Sequence, residues 1–245
     1  MSGLERHTVP VHVSGDAGSA ARTERLHHFS HALRNKLGGL MEAIRFLDQD
    51  LPHDQRNEIA SFAERKFFEG LREVESLLDD MGVERGMGQL HREDTDLGQL
   101  LQQAVAEVLP RLERKGQQLD LSINSPLPVS GDPHYLTPLL QALLSNASKF
   151  SAAGATIQVR ASMNADHVLL QVIDPGVGLS EDDLKQVFTR YAWLESRTTA
   201  GESQGRSSLA RAQQWAQAHG GTLRAFSAGV GQGCTFTLTL PAIGR

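Results

Sequence analysis

Apolar residues in the first third of the chain recur at helical spacing. From about residue 22, two interleaved seven-residue series place their side chains along one stripe of the coiled-coil kind. The first series is Leu26, Leu33, Leu40 and Leu47, and the second is Leu37, Ile44 and Leu51. Residues 1–20 lack this period and predict a flexible tail, and Pro52 interrupts the helix at its other end.

A second helical pattern follows Pro52. It runs from about Gln55 to Met81 and ends before a group of glycines at 82, 86 and 88. Its apolar positions are Ile59, Phe62, Phe67, Leu71, Val74 and Leu78. The two segments predict a helical hairpin over residues 21–86. Because one hairpin buries its stripe poorly, we expect a homodimer with a four-helix bundle; packing against the chain's own C-terminal domain is the alternative.

Residues 87–245 alternate between helical and strand patterns. Helices are predicted at about 97–115, 133–150, 180–194 and 208–219, and strands at about 119–124, 156–163, 168–173, 222–227 and 234–240. Segments 164–166 and 229–233 have the composition of hairpin turns. The pattern predicts an α/β sandwich with helices on one face of a mixed sheet, so the whole chain is of the α+β class.

Composition narrows the function classes. The 245 residues carry a formal net charge of -5, which argues against a basic nucleic-acid-binding protein. The single cysteine, Cys234, allows no intrachain disulfide and fits a reducing compartment. No apolar run approaches the roughly 20 residues that span a bilayer, and the first residues lack the apolar segment of a signal peptide. We therefore expect a cytoplasmic protein without direct membrane insertion.

His31 is a candidate nucleophile on the first helix. On a helical wheel it lies about 145° from the apolar stripe, and Asn35 lies almost opposite the stripe. An exposed imidazole is largely neutral at pH 7 and can attack phosphorus. An amide one turn along could position water for hydrolysis of an acyl phosphate on a docked partner. The alternative is an ordinary surface histidine, since the chain has ten.

Four segments of the second domain suggest nucleotide chemistry. Residues 143–150 place Asn146 and Lys149 on neighbouring helical positions, where an amide oxygen can ligate Mg²⁺ and an ammonium group can meet phosphate. Residues 172–179 end a strand at Asp174, whose carboxylate can accept a hydrogen bond from an adenine amine, followed by glycines that admit the base. Residues 187–191 form a short helical stretch with an aromatic anchor, and residues 209–223 form a glycine-capped helix that leads into a strand.

Each segment also has a plain structural interpretation. Asn146 could be a surface residue, Asp174 a turn former, and Gly220-Gly221 a helix stop. The order and spacing of the four segments favour a nucleotide site over four separate coincidences.

These motifs resemble the bacterial sensor histidine kinase family over residues 22–240. Phe29-Ser-His-Ala-Leu-Arg-Asn-Lys-Leu37 is similar to the family's H box, and the Asn146 segment to its N box. Asp174-Pro-Gly-Val-Gly178 resembles the G1 box, Phe188 the F box, and residues 209–221 the helix after the G2 box.

The resemblance implies a dimerising hairpin followed by a Bergerat-type ATP-binding domain. His31 would accept phosphate from Mg-ATP and pass it to an aspartate of a response-regulator receiver domain, with Asn35 beside it. The nucleotide would contact a set of residues that includes the Mg²⁺ ligand Asn146. The set is Asn146, Lys149, Asp174, Gly176, Gly178, Gly205 and Arg206.

Three positions depart from the family pattern. Ala32 stands where the family usually has an acid that acts as general base, although some branches lack it. In the G2 box, Gln204, Arg206 and Ser208 replace expected glycines; Gly201 and Gly205 could supply part of the turn, and Arg206 could bind phosphate or block the site. Ala142 replaces the first asparagine of the N box.

Three hypotheses follow. The first is an active histidine kinase. The second, motivated by Ala32 and the altered G2 box, is a non-catalytic phosphotransfer, phosphatase or scaffold protein of the same fold with weakened ATP binding. The third is a Bergerat ATPase that phosphorylates serine, such as an anti-sigma-factor kinase, and the predicted hairpin argues against it.

Overall fold

The computed structural model describes residues 16–49, 51–81, 88–124, 126–164, 166–200 and 207–243. The Cα positions divide the chain into two compact units, residues 1–84 and 85–245. Among the described residues, every helix is too short or too polar to cross a bilayer.

The first unit contains two long helices, α1 (Asp16–Leu47) and α2 (His53–Asp80). Helix α1 begins at Asp16, before the expected start near residue 22, so the last five residues of the predicted tail are helical. The sequence favours this earlier start: alanine, which occupies positions 17, 20 and 21, has the highest helix propensity, and an acidic residue such as Asp16 is favourable at the N-terminus of a helix. The rest of the predicted tail lies outside the described residues.

The seam between α1 and α2 contains small, aliphatic and aromatic side chains. Ala43 is buried against α2, and Ala63 and Phe68 are buried on α2. The Leu33 side chain lies over Gly70, where a Cβ atom would stand 3.6 Å from its Cδ1 atom. That distance is an ordinary van der Waals contact, so Leu33 packs directly over α2 at Gly70.

Apolar residues of the predicted stripe do not all enter that seam. Leu33 and Leu40 are partly buried, whereas Leu37 and Ile44 are both 48% exposed. The stripe is therefore wider than the surface that α2 covers, and part of it stays open in the single chain.

The second unit combines a five-stranded sheet, a two-stranded sheet and four helices. Its elements are β1 (Glu93–Asp96), α3 (Leu97–Arg114), β2 (Gln118–Ile123), β3 (Pro128–Gly131), α4 (Pro133–Phe150), β4 (Thr156–Asn164), β5 (His167–Asp174), α5 (Glu181–Gln186), α6 (Ser208–Ala218), β6 (Thr222–Phe226) and β7 (Cys234–Pro241). The large sheet has the order β2-β4-β5-β7-β6; β2 and β4 are parallel and the other pairs antiparallel. The small sheet pairs β1 with β3.

Strict alternation of side chains gives the large sheet one buried face. Along β5, Val168, Leu170 and Val172 are buried and the residues between them are partly exposed. The apolar sides of α3, α4 and α6 contribute to the same core, so the helices cover one face of a mixed sheet as the sequence predicts. This layer places the C-terminal end of α4 close to the end of β5.

Two aspartates set the starts of the main helices. The Asp96 carboxylate accepts from the Gly98 amide at the start of α3, and the Asp132 carboxylate accepts from the His134 amide at the start of α4. Pro133, at the first position of α4, needs no hydrogen-bond acceptor there.

The structure also corrects some predicted elements. Strands β1 and β3 were not expected, because they are short, polar or proline-containing and pair across a long sequence separation. The helix expected at 180–194 is wrong beyond residue 186, and Tyr191 there has a positive φ of 55°. Strands β4 and β5 pair up to Asn164 and His167, while Ala165 of the predicted turn lies outside the described residues.

Candidate active site

A cavity of about 170 Å³ opens beside α4 in the second unit. Asn146 and Lys149 line it from α4, so the structure brings these two predicted residues together. Other lining residues come from α4, the 187–194 segment and the start of α6: Ala142, Ser145, Phe150, Val187, Thr189, Ala192, Leu194, Ser208 and Leu209. A cavity of this size accommodates part of a nucleotide rather than the whole molecule.

Asp174 ends β5 as a buried carboxylate, only 3% exposed. Burial raises its pKa to about 6, although the backbone amides of Gly176 and Cys234 oppose the shift. Its Oδ1 atom accepts from the Gly176 amide at 3.0 Å, whereas Oδ2 is buried without a hydrogen-bond partner. A buried acceptor without a donor is costly, and a ligand amine is the kind of group that would satisfy it.

Gly176 and Gly178 form the turn that follows Asp174. A Cβ atom at Gly176 would stand 2.6 Å from the Phe150 carbonyl oxygen, and one at Gly178 would stand 2.1 Å from the Gly229 carbonyl oxygen. Gly178 also has a φ of +68°, which favours glycine. These two positions therefore require glycine for close approach of backbone segments.

The glycine turn is held between α4 and the β6–β7 hairpin. The Val177 amide donates to the Phe150 carbonyl at 3.1 Å, at the end of α4. On the other side, the Gly231 amide donates to the Val177 carbonyl at 2.7 Å and the Gly233 amide to the Gly176 carbonyl at 3.1 Å. Asp174 does not line the cavity beside α4, but its turn is hydrogen-bonded to the same helix end.

Phe188 anchors the segment that forms the far wall of the cavity. It packs edge-on against Phe236 of β7, with ring centroids 6.4 Å apart. Asp183 of α5 is buried and accepts from the amides of Glu195 and Ser196, at 2.9 and 3.2 Å. These contacts hold residues 188–196 against the domain without regular secondary structure.

Gly205 and Arg206, which were predicted to contact phosphate, lie outside the described residues. The described part of the chain therefore carries five of the seven predicted nucleotide residues: Asn146, Lys149, Asp174, Gly176 and Gly178.

The donor set fits ATP better than a resident metal. The free acceptor of Asp174 and the cradle at Gly176 suit an adenine base, and Lys149 offers charge to phosphate. Among the described residues, no cluster of three or more His, Cys, Asp or Glu side chains could hold a metal ion unaided. Mg²⁺ would therefore need ligands from the nucleotide in addition to the Asn146 amide oxygen.

His31 is exposed on α1, as the helical wheel predicts. The Asn35 Nδ2 atom lies 3.3 Å from the His31 Nδ1 atom, so the two predicted residues form a pair one helical turn apart. Both line a groove of about 650 Å³ between α1 and α2. Ala32 also lines the groove, and its small side chain leaves the space beside His31 open.

Several residues that shape the site were not predicted. Gln117, next to β2, is buried and donates to the carbonyls of Ser148, Ser151 and Ala152 at the end of α4. Thr199 also reaches this helix end. A polar residue at a strand edge and a threonine in an irregular segment have no sequence pattern that reveals such distant partners.

The fold and the cavity define a class of ATP-binding domain. Residues 131–243 match the model of the histidine kinase-, DNA gyrase B- and HSP90-like ATPase domain. Over 92% of its length the chain is 32% identical to the circadian input-output histidine kinase CikA of Synechococcus elongatus. It is 27% identical over 91% of its length to the sensor-like histidine kinase SenX3 of Mycobacterium tuberculosis. The chain belongs to the bacterial sensor histidine kinases.

Solved structures agree with this assignment. The mycobacterial sensor histidine kinase MprB superposes with a TM-score of 0.56 at 25% identity, covering 62% of this chain and all of that one. Full-length ShkA, solved in complex with AMPPNP, gives a TM-score of 0.55 at 24% identity over 91% of this chain and 47% of its own. This chain spans 30% of the length of CikA and 55% of SenX3.

Proposed function

We propose that this chain is a protein-histidine kinase that phosphorylates His31 from Mg-ATP and passes the phosphoryl group to an aspartate of a response-regulator receiver domain. The observation that carries the proposal is the buried Asp174 carboxylate with an unpartnered Oδ2 atom beside a glycine turn. The phosphoryl acceptor is the exposed His31 imidazole, which pairs with the Asn35 amide one turn along helix α1.

In this proposal Asp174 Oδ2 accepts a hydrogen bond from the adenine amine. Gly176 and Gly178 let the base approach the backbone, and Lys149 offers its ammonium group to phosphate. Gly205 and Arg206, which come before α6 in the sequence, would contact the phosphates. The Asn146 amide oxygen would help to hold Mg²⁺, which would supply positive charge to the phosphates.

The reaction at His31 needs one ring nitrogen with a free lone pair. The oxygen and nitrogen of an amide are interchangeable in shape, so with the Asn35 amide turned by 180° its oxygen would accept a hydrogen bond from the Nδ1–H group of His31. The Nε2 lone pair then attacks the γ-phosphorus, the bond to the β–γ bridging oxygen breaks, and its electron pair leaves with ADP. The Nδ1 proton is finally lost to solvent.

We also propose that residues 21–86 form the dimerisation and phosphoacceptor hairpin and residues 87–245 the catalytic domain. Four large apolar side chains are each 47–52% exposed: Leu37, Met41 and Ile44 of α1 and Phe67 of α2. Burying these side chains in a second copy would form the four-helix bundle of a homodimer. The functional setting proposed is the cytoplasm, with no nucleic-acid partner.

The second candidate is a phosphotransfer, phosphatase or scaffold protein with weakened ATP binding. Two observations favour it: Ala32 replaces the expected acid beside His31, and Gln204 and Arg206 replace glycines of the G2 box. This protein would exchange phosphate with a receiver domain through His31 without using its own ATP.

A labelling experiment separates the two candidates. Purified protein is incubated with γ-³²P-ATP and Mg²⁺, alongside His31→Ala and the neighbouring control His28→Ala. We expect base-stable, acid-labile label on wild type and His28→Ala and none on His31→Ala. Measurable ATP binding without label would overturn the autokinase, and phosphate exchange with a phosphorylated receiver would then support the second candidate.

The nucleotide site has its own test, Asp174→Asn. The amide presents an N–H group where the adenine amine needs an acceptor, so we expect ATP affinity to fall by at least about 100-fold. Calorimetry with ATP measures the change, and Asp120→Asn on the exposed side of β2 is the matched control. Unchanged affinity in Asp174→Asn would remove the adenine site from the proposal.

A further inference from the structure

The last four carbonyls of α4 all accept hydrogen bonds, three of them from distant parts of the domain. Within the helix end, the Ser151 amide donates to Ala147 at 3.1 Å. The Ser148 carbonyl accepts from side chains of residues 115 and 117, the Lys149 carbonyl from the amide of residue 199, and the Phe150 carbonyl from the amide of residue 177. Helix C-termini leave such carbonyls without helical partners, so this one serves as a junction between segments.

Thr199 makes several hydrogen bonds at this junction. Its amide donates to the Lys149 carbonyl at 3.0 Å, and its hydroxyl lies 2.7 Å from the Ser151 carbonyl. The same hydroxyl accepts from the Lys115 Nζ atom at 2.8 Å. Lys115 in turn donates to the Ser148 carbonyl at 2.8 Å, so one ammonium group bridges α4 and the 199 position.

The hydrogen bonds of Thr199 and Lys115 connect the two walls of the cavity beside α4. Ala192 and Leu194 line it from the segment that ends at Thr199, and Lys149 lines it from α4. The Thr199 hydroxyl also lies 3.2 Å from the Lys149 carbonyl oxygen. Because the hydroxyl and the amide of Thr199 both hold the backbone of Lys149, they fix where the Lys149 side chain begins relative to the opposite wall.

We propose that Thr199, held in place by Lys115, is a positioning residue for the phosphate end of the nucleotide site. The inference rests on the proposed ATP-binding function, in which Lys149 meets phosphate. Thr199 itself is exposed, so replacing its hydroxyl leaves the buried core intact. It acts through Lys149 and does not contact the reacting atoms.

The test compares Thr199→Val, which removes the hydroxyl at nearly constant shape, with Thr199→Ser, which keeps it. Binding of ATP and of adenosine is measured by calorimetry on the full chain, together with the melting temperature without ligand. We expect ATP affinity to fall about fivefold in Thr199→Val, the effect of one net hydrogen bond, and to stay within twofold in Thr199→Ser. Adenosine affinity, which depends on Asp174, should stay unchanged in both.

A second experiment replaces Lys115. Lys115→Met should weaken ATP binding by a similar factor, and the double variant with Thr199→Val should lose less than the sum of the two single losses, because the two residues share the hydrogen bond to the hydroxyl. Thr222→Val, on β6 at the far edge of the sheet, is the control and should match wild type.

The outcomes separate the inference from the proposed function. If wild type binds no ATP, the proposed function falls and the inference with it. If wild type binds ATP and Thr199→Val binds it equally well, only the inference is overturned. Equal losses for ATP and adenosine, or additive losses in the double variant, would mean a general disturbance of the domain and would also overturn the positioning role.

Discussion

The two units differ in how much of their apolar surface they bury. In the hairpin the buried apolar residues are Ala43, Ala63 and Phe68, while Leu37 and Ile44 remain half exposed. The catalytic domain buries a continuous core that extends from Leu97 to Leu240. A domain that completes its own core holds a binding site in place by itself, whereas the hairpin leaves part of its apolar stripe uncovered.

The largest effect is expected from placing charged residues in the exposed apolar stripe of α1. We expect Leu37→Glu combined with Ile44→Glu to weaken self-association at least about 100-fold, because two charges would enter an apolar interface. Analytical ultracentrifugation of the full chain measures it, and nucleotide affinity should be unchanged because the catalytic domain has its own core.

The matched control for that pair is Arg45→Glu, an exposed polar position on the same helix. It changes charge without entering the stripe, so it should self-associate like wild type. A wild-type chain that is monomeric at all concentrations, or a double variant that stays dimeric, would contradict the four-helix bundle.

Glycine positions test how tightly the catalytic domain is packed at its site. Gly178→Ala combines a φ of +68° with a Cβ position 2.1 Å from the Gly229 carbonyl, and we expect it to lower the free energy of unfolding by about 3 kcal/mol. Gly154→Ala has a similar φ of +76° but open space around it, so it should cost only about 1 kcal/mol. Urea denaturation measures both, and equal losses would show that close packing at the turn contributes nothing.

The sequence predicts the sheet better than it predicts the site. Alternation in β4, β5 and β7 reports one buried face, and a residue's burial depends mainly on that local pattern. Asp174, Gly176 and Gly178 are adjacent in sequence, so one motif identifies them together. Gln117 and Thr199 act on α4 from segments far away in sequence, and no local pattern encodes such a meeting.

In the hairpin, the sequence predicts the elements but not how their apolar positions pack. Its heptad pattern correctly predicts helices and an exposed His31, but it does not say which apolar positions face α2. That depends on how the two helices pack: Leu33 lies against Gly70 of α2 and is partly buried. Leu37 is then left outside the seam, although its heptad spacing is equally regular.

A smaller effect is expected from pH, through a buried histidine of the catalytic domain. Burial lowers the pKa of His219, although the Trp215 carbonyl partly opposes this. The His219 Nε2 atom accepts from the Asp132 amide at 3.0 Å, and Nδ1 lies 2.6 Å from the Trp215 carbonyl, so the neutral ring satisfies both. Protonation would leave two N–H groups facing one donor and one acceptor.

Because its folded-state pKa lies below the unfolded value of about 6.5, His219 stabilises the fold above that pH, and this contribution is lost as pH falls through the folded pKa. The difference in free energy of unfolding between wild type and His219→Gln should therefore fall by about 1 kcal/mol between pH 7 and pH 5. The raised pKa of Asp174 acts in the opposite direction but is common to both chains and cancels. A pH-independent difference would show that the pKa of His219 is the same in the folded and the unfolded chain.

The smallest effects are expected from ion pairs, and they return to the contrast between the two units. In the hairpin, Lys36 Nζ lies 2.7 Å from Glu73 Oε1 across the two helices, with side chains 22% and 34% exposed. In the catalytic domain, Lys185 Nζ lies at the same distance from Asp182 Oδ1, but within one helix and with side chains 69% and 83% exposed. We expect Lys36→Met to lower the melting temperature by a few degrees, since a partly buried pair contributes up to about 1 kcal/mol. Lys185→Met should leave it unchanged, because water and salt screen an exposed pair. Raising the salt concentration should shrink the first effect, whereas a salt-independent loss would assign it to packing of the Lys36 stem in the groove rather than to charge.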